Sequence, residues 1–148
     1  MVKSALTLAL GFVIGTGWLY TTSAQPARRY INGRSAADAA AAAQPPFSGA
    51  VQAGDTLYLS GMLGTGESAE AAATSALTSI QNTLKAAGMT MDDLVSVQIF
   101  TPDVANYAGF NTVYRTFFTK EFPARAFLGS GPLLNGARFE VMATAVKR

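Results

Sequence analysis

The sequence contains no cysteine and no histidine among its 148 residues. The absence of cysteine excludes disulfide bonds and thiol nucleophiles, and the absence of histidine removes the base on which most serine and cysteine hydrolases depend. Zinc sites built from sulfur or imidazole ligands are excluded as well. Proton transfer in this protein must therefore use carboxylates, tyrosine, lysine, backbone groups or water.

Sequence motifs for cofactors are missing too. Asp92-Asp93 is the only acidic doublet, and we interpret it as a loop feature rather than a metal site. Gly64-Thr65-Gly66 lacks the Lys-Ser/Thr of a phosphate-binding loop and the third glycine of a dinucleotide-binding fingerprint. The sequence therefore predicts a protein that uses neither a metal nor an organic cofactor.

The positive charge is concentrated near the N-terminus. Four basic residues and one acidic residue precede position 45, whereas the remainder carries seven basic and eight acidic residues, a net charge of −1. A nearly neutral domain lacks the basic surface that nucleic-acid binding requires. We therefore expect no nucleic-acid partner.

Residues 1–24 have the composition of a signal peptide. Lys3 precedes an uncharged apolar run over residues 5–20, and Thr22-Ser23-Ala24 supplies small residues for cleavage. An uncleaved membrane anchor is the alternative, although a spanning helix needs about 20 apolar residues. We expect a periplasmic or secreted protein, which contacts a membrane only if this leader is uncleaved.

Residues 25–44 are rich in alanine, and we interpret them as a flexible tether to a single domain over residues 45–148. Apolar spacings in this domain predict an α+β fold, with one mixed sheet and two helices packed on one face. The other face of the sheet would need cover, which favours a closed symmetric oligomer. The predicted elements are strands in FSGAVQAG and DTLYLSG, a helix over 67–87, a strand in DLVSVQIFT, a helix over 104–122, and strands in PARAFLGS and ARFEVMATAV.

Two charged residues stand in the apolar runs of the last two predicted strands. Arg125 and Glu140 should each need a partner if they are buried. The residues alone allow an Arg125–Glu140 ion pair, or an external anion held by the planar fork of the arginine. Asn111 borders an aromatic stripe of the second predicted helix, and two roles are open for its side chain. It could bond neighbouring backbone or contact a ligand.

Three segments, PPFSGAVQAGDTLYLSG, ALTSIQNTLKAAGMTMDDLVSVQIFTPDVANYAGFNTVYRTFF and FPARAFLGSGPLLNGARFEVMATAV, together resemble the Rid family, also called YjgF or reactive intermediate deaminase proteins. The resemblance covers residues 45–148 and is most specific around the P-A-R and F-E-V segments. It implies a chorismate-mutase-like fold, a homotrimer, and ligand clefts at the subunit interfaces. It also implies hydrolysis of enamines or imines to a 2-keto acid and ammonia, the 2-iminobutanoate/2-iminopropanoate deaminase type of reaction.

The same resemblance suggests roles for individual residues. It implies that Arg125 binds the carboxylate of an imine substrate or a keto acid, and that Glu140 holds the attacking water. Asn111, Gly61 and Ser60 would line the cleft.

Two substrate-contacting positions depart from the family pattern. Phe47 stands where the deaminases usually have tyrosine, and Phe127 where they often have cysteine. Both replacements make the predicted cleft more apolar. A noncatalytic trimer, which binds small molecules or acts like a chaperone through the same cleft, is therefore the alternative to an enzyme.

Overall fold

Six strands form one mixed sheet in the computed structural model, which describes residues 27–32 and 45–148. Their order across the sheet is β1-β2-β3-β6-β4-β5, in which β4 and β5 are parallel and the other neighbours antiparallel. The predicted signal peptide and most of the predicted tether lie outside the described residues. The strands are β1 (Arg29–Ile31), β2 (Ala50–Ala53), β3 (Thr56–Gly64), β4 (Leu94–Thr101), β5 (Ala124–Gly129) and β6 (Phe139–Val146).

The first strand corrects part of the predicted tether. β1 pairs with β2 at the edge of the sheet and buries Ile31. The Arg29 guanidinium donates a hydrogen bond of 2.7 Å to the carbonyl of Ala86, near the C-terminal end of a helix, where a cation is favoured. These three residues are therefore a docked strand rather than a flexible linker.

Two α-helices, α1 (Ala69–Ala87) and α2 (Tyr107–Tyr114), cover one face of the sheet. Ser68 caps α1 by accepting the Ala71 N–H, and Gly88 ends it at a φ of 76°, a left-handed conformation that glycine adopts without strain. No helix in the described ranges is both long and apolar enough to cross a membrane.

The second helix is shorter than the sequence predicts. Only Tyr107–Tyr114 is α-helical, between 3₁₀ turns at Val104–Asn106 and Arg115–Phe117. Asp103 accepts the Ala105 N–H and begins the first turn, as the sequence predicts. Thr116 and Phe117, which lie in the second of these turns, are weaker helix formers than alanine or leucine and favour an early end of the helix.

The sheet has a covered face and an open face. Val97, Ile99 and Phe139 are buried beneath the helices. On the opposite face, Tyr58 and Met142 are 55% and 41% exposed. The predicted α+β fold, a mixed sheet with two helices on one face, is confirmed, and its other face offers apolar side chains to solvent.

Candidate functional site

Arg125 lies on the edge strand β5 and points towards the helices. It pairs in register with the buried Val97, so both side chains share the covered face of the sheet. Its Nη1 donates a 2.7 Å hydrogen bond to Asn111 Oδ1 on α2, and its Cζ lies 4.7 Å from the ring centroid of Tyr114. Tyr107 lies at the other nitrogen, with a long contact of 3.5 Å between Nη2 and the phenol oxygen.

The half-buried cation of Arg125 has no carboxylate partner in the described part of the chain, where the one ion pair joins Arg148 to Asp93 at 3.7 Å. An amide oxygen and two aromatic faces are its neighbours instead. Asn111, itself only 7% exposed, thereby fixes the direction of the guanidinium. The arrangement leaves donors of Arg125 available to an anion from outside.

A pocket of about 240 Å³ opens beside Arg125. Phe122 and Tyr107 flank it and are 57% and 49% exposed. Burial raises the pKa of Tyr114 to about 12, an effect that the nearby Arg125 partly opposes, so this phenol stays protonated at neutral pH. The pocket is lined by Tyr107, Asn111, Tyr114, Arg115, Phe122, Pro123 and Arg125.

Glu140 lies in a second pocket, of about 230 Å³. It pairs with Leu63 on β3 and faces the open side of the sheet, because its neighbour Val141 is buried beneath the helices. Leu134, 74% exposed in the turn before β6, forms part of the rim. The lining consists of Phe47, Ser60, Gly61, Leu63, Leu134 and Glu140.

An irregularity in β3 makes room for the Glu140 carboxylate. The register of β3 against β6 shifts between Leu59 and Met62, which marks a β-bulge at Ser60 and Gly61. A Cβ atom at Gly61 would overlap Glu140 Oε1, so the carboxylate occupies space that only glycine provides. Ser60 Oγ donates a 2.7 Å hydrogen bond to the Ser48 carbonyl, which leaves its oxygen as an acceptor.

The predicted site residues therefore divide into two groups. Arg125 and Asn111 come together on the covered face, whereas Phe47, Ser60, Gly61 and Glu140 come together on the open face. The Arg125–Glu140 ion pair, one of the two alternatives from the sequence, is wrong. In one chain, a small ligand cannot contact both charges, because they project from opposite faces of the sheet.

Phe127 belongs to neither group. It shares the covered face with Arg125, two residues along β5, and packs edge-on against Tyr107 and Phe110 at centroid distances of 5.1 and 5.7 Å. It pairs with the buried Ile99 and lies partly buried against the core, and its expected contact with a ligand stays a prediction.

Several pocket residues could not be identified from the sequence, or only weakly. Tyr107 and Tyr114 read as core positions of a helix, and Leu134 reads as part of a turn. Phe122 and Pro123 directly precede the strand that bears Arg125, which is a usable but weak signal. Across residues 27–32 and 45–148, no group of three or more acidic side chains is arranged to hold a metal ion.

Comparison with known proteins gives consistent matches. The family model described as Endoribonuclease L-PSP matches residues 37–147. A bovine protein named 2-iminobutanoate/2-iminopropanoate deaminase is 38% identical over 117 residues, which are 73% of this chain and 85% of the relative.

Solved structures agree with this match. NMB1025 from Neisseria meningitidis, described as a member of the YjgF protein family, superposes with a TM-score of 0.73 at 28% identity and covers 84% of this chain and 98% of its own. The YjgF gene product of E. coli gives a TM-score of 0.68 at 28% identity, over 72% and 92% of the two chains.

Proposed function

Because the chain belongs to the endoribonuclease L-PSP family, also known as the YjgF/Rid family, we propose that it hydrolyses 2-imino acids to 2-keto acids and ammonia. The observation that carries this proposal is Arg125, a half-buried cation held by Asn111 with no carboxylate partner in the described residues. The name of the bovine relative supports the same reaction.

Arg125 would bind the carboxylate of the substrate. A guanidinium offers two parallel N–H donors to a carboxylate, and such charge-assisted pairs are the stronger hydrogen bonds in proteins. The aromatic walls of Tyr107 and Phe122 would exclude water from one side and strengthen the interaction. A small anionic molecule with a short organic chain fits this environment better than a nucleic-acid backbone does, since the domain carries no excess of positive charge.

The Glu140 of a second copy of the chain would direct water at the C=N carbon of the ligand that Arg125 holds. Arg125 and Glu140 project from opposite faces of one sheet, so a ligand between them requires two subunits. The open apolar face with Tyr58 and Met142 supplies a surface on which copies can associate. We propose a homotrimer, in which each cleft combines the Arg125 pocket of one subunit with the Glu140 pocket of the next.

The proposed reaction adds one water to the imine. Glu140 orients the water and accepts its proton, while the water oxygen forms a bond to the imine carbon. The π electrons of the C=N bond move to nitrogen, which takes up a proton from solvent and gives a carbinolamine. Collapse of this intermediate forms the C=O bond as the hydroxyl proton leaves to solvent, breaks the C–N bond and releases ammonia, with the Glu140 proton passing to the leaving nitrogen.

A kinetic comparison tests the proposal. 2-Iminobutanoate is generated in solution by a pyridoxal-phosphate-dependent dehydratase acting on threonine, and the release of 2-oxobutanoate is followed with and without this protein. We expect a saturable acceleration over spontaneous hydrolysis. A rate that does not change with the concentration of folded protein contradicts the proposal.

A noncatalytic binding protein is the second candidate, because the Glu140 pocket contains few polar groups that could take part in a reaction. Phe47 brings no hydroxyl, and the Ser60 proton is already donated to Ser48. Among the residues that line this pocket, Glu140 alone has an ionisable side chain, so no second acid or base stands beside it. Tight binding of 2-oxobutanoate in a calorimeter, combined with no acceleration of imine hydrolysis, would establish this alternative.

Gly61 offers a test of the role of Glu140. We expect Gly61→Ala to lower kcat about 10- to 100-fold, since the added methyl group displaces the carboxylate and general acid–base groups contribute roughly 10²–10⁴-fold. Gly131→Ala is the matched control, because a Cβ there meets no atom within 4 Å. Wild-type kcat in Gly61→Ala would contradict the proposed role.

A further inference from the structure

Tyr114 carries a hydroxyl group that the packing of the protein does not explain. The residue is 3% exposed, and its ring packs between Phe110, Phe118 and Phe122 at centroid distances of 5.7, 4.7 and 6.0 Å. Within the described ranges, its hydroxyl is the one buried side-chain polar atom with no hydrogen-bond partner. Buried phenols normally find a partner, and a phenylalanine would fill this aromatic cluster without a polar atom to satisfy.

The position of Tyr114 connects this hydroxyl with Arg125. Its ring lies beneath the guanidinium, 4.7 Å from Cζ, and the residue lines the same pocket. On α2, Asn111 gives its Oδ1 atom to Arg125 Nη1 and accepts no hydrogen bond from the Tyr114 hydroxyl. A carboxylate can accept more hydrogen bonds than Arg125 alone donates, and a neutral phenol is a further donor beside the guanidinium.

We propose that the Tyr114 hydroxyl donates a hydrogen bond to the carboxylate that Arg125 binds, and so determines specificity for anionic ligands. The inference rests on the proposed function only in taking that ligand to be a 2-oxo or 2-imino carboxylate. The raised pKa of Tyr114, about 12, keeps the phenol protonated at neutral pH, whereas a phenolate would repel the ligand. The aromatic ring contributes separately, through its face, to holding the guanidinium.

The substitution Tyr114→Phe separates the hydroxyl from the ring. We expect its dissociation constant for 2-oxobutanoate, measured by calorimetry, to rise about tenfold, the effect of losing one hydrogen bond to a charged group. KM for the imine should rise by a similar factor with kcat little changed. The thermal midpoint of the ligand-free protein should stay equal or increase, because an unsatisfied polar atom has been removed.

Tyr30→Phe serves as the matched control, since Tyr30 is an exposed tyrosine on β1 that lines neither pocket. If the wild type binds 2-oxobutanoate and Tyr114→Phe binds it equally well, the proposed hydrogen bond from Tyr114 is wrong and the proposed function is unaffected. A weaker affinity accompanied by a lower thermal midpoint also overturns this hydrogen bond, because a structural role then accounts for the loss. A wild type that binds no 2-oxo acid overturns both.

Discussion

Replacement of Arg125 by alanine is expected to lower kcat/KM for 2-iminobutanoate by about 100- to 1,000-fold. Truncating one partner of a hydrogen-bonded charge pair costs about 2–5 kcal/mol, and each 1.4 kcal/mol corresponds to roughly a factor of ten. Since Arg125 has no carboxylate partner within the described chain, its loss breaks no ion pair of the fold and removes the proposed interaction with the ligand. Initial rates of 2-oxobutanoate release measure the effect.

Two further variants make the Arg125 result interpretable. Arg125→Lys keeps the charge but loses the planar fork, and we expect it to recover only part of the activity. Lys147→Ala removes one positive charge from an exposed position outside both pockets and should behave like the wild type. If Arg125→Ala retains wild-type kcat/KM while remaining folded by circular dichroism, Arg125 is not the carboxylate anchor.

The order of the elements in the domain could be predicted because its apolar spacing is regular. The stripe that includes Leu77, Ile80 and Leu84 is long enough to specify α1, and Gly88 marks its end. β1 could not be predicted in the same way, since three residues are too few for a period to be visible. Its pairing with β2 also depends on a contact between segments separated by about twenty residues along the chain.

The positions of Arg125 and Glu140 could be predicted only in part from the sequence. The resemblance to a family identifies Arg125 and Glu140, and their apolar surroundings make both residues conspicuous. Which face of the sheet each occupies depends on β6 inserting between β3 and β4, a non-local arrangement that residue spacing does not contain. The same arrangement places Phe127 beside the buried Ile99 and partly buried against the core, which residue spacing alone does not show.

Because Arg125 and Glu140 lie on opposite faces of the sheet, we expect mixed oligomers of two inactive variants to regain activity. Arg125→Ala and Glu140→Ala should each be nearly inactive when purified alone. Co-expressed with different affinity tags and purified on both, they should regain about one third of the wild-type activity. In the proposed homotrimer, a closed ring of either mixed composition contains one interface with both residues intact. Initial rates per oligomer, with the composition verified by native mass spectrometry, measure the recovery.

Recovery in the mixture cannot come from sites contained in one chain, since every chain then lacks one of the two residues. An inactive mixture of verified composition would therefore mean that Arg125 and Glu140 do not serve the same ligand across an interface. Active oligomers made from Arg125→Ala and wild-type chains provide the upper reference, as they keep one or two intact clefts under the same assembly. The experiment thus tests whether the two-sided sheet matters for the proposed reaction, because the two charges are separated within one chain and the proposed cleft needs a neighbouring chain to bring them together.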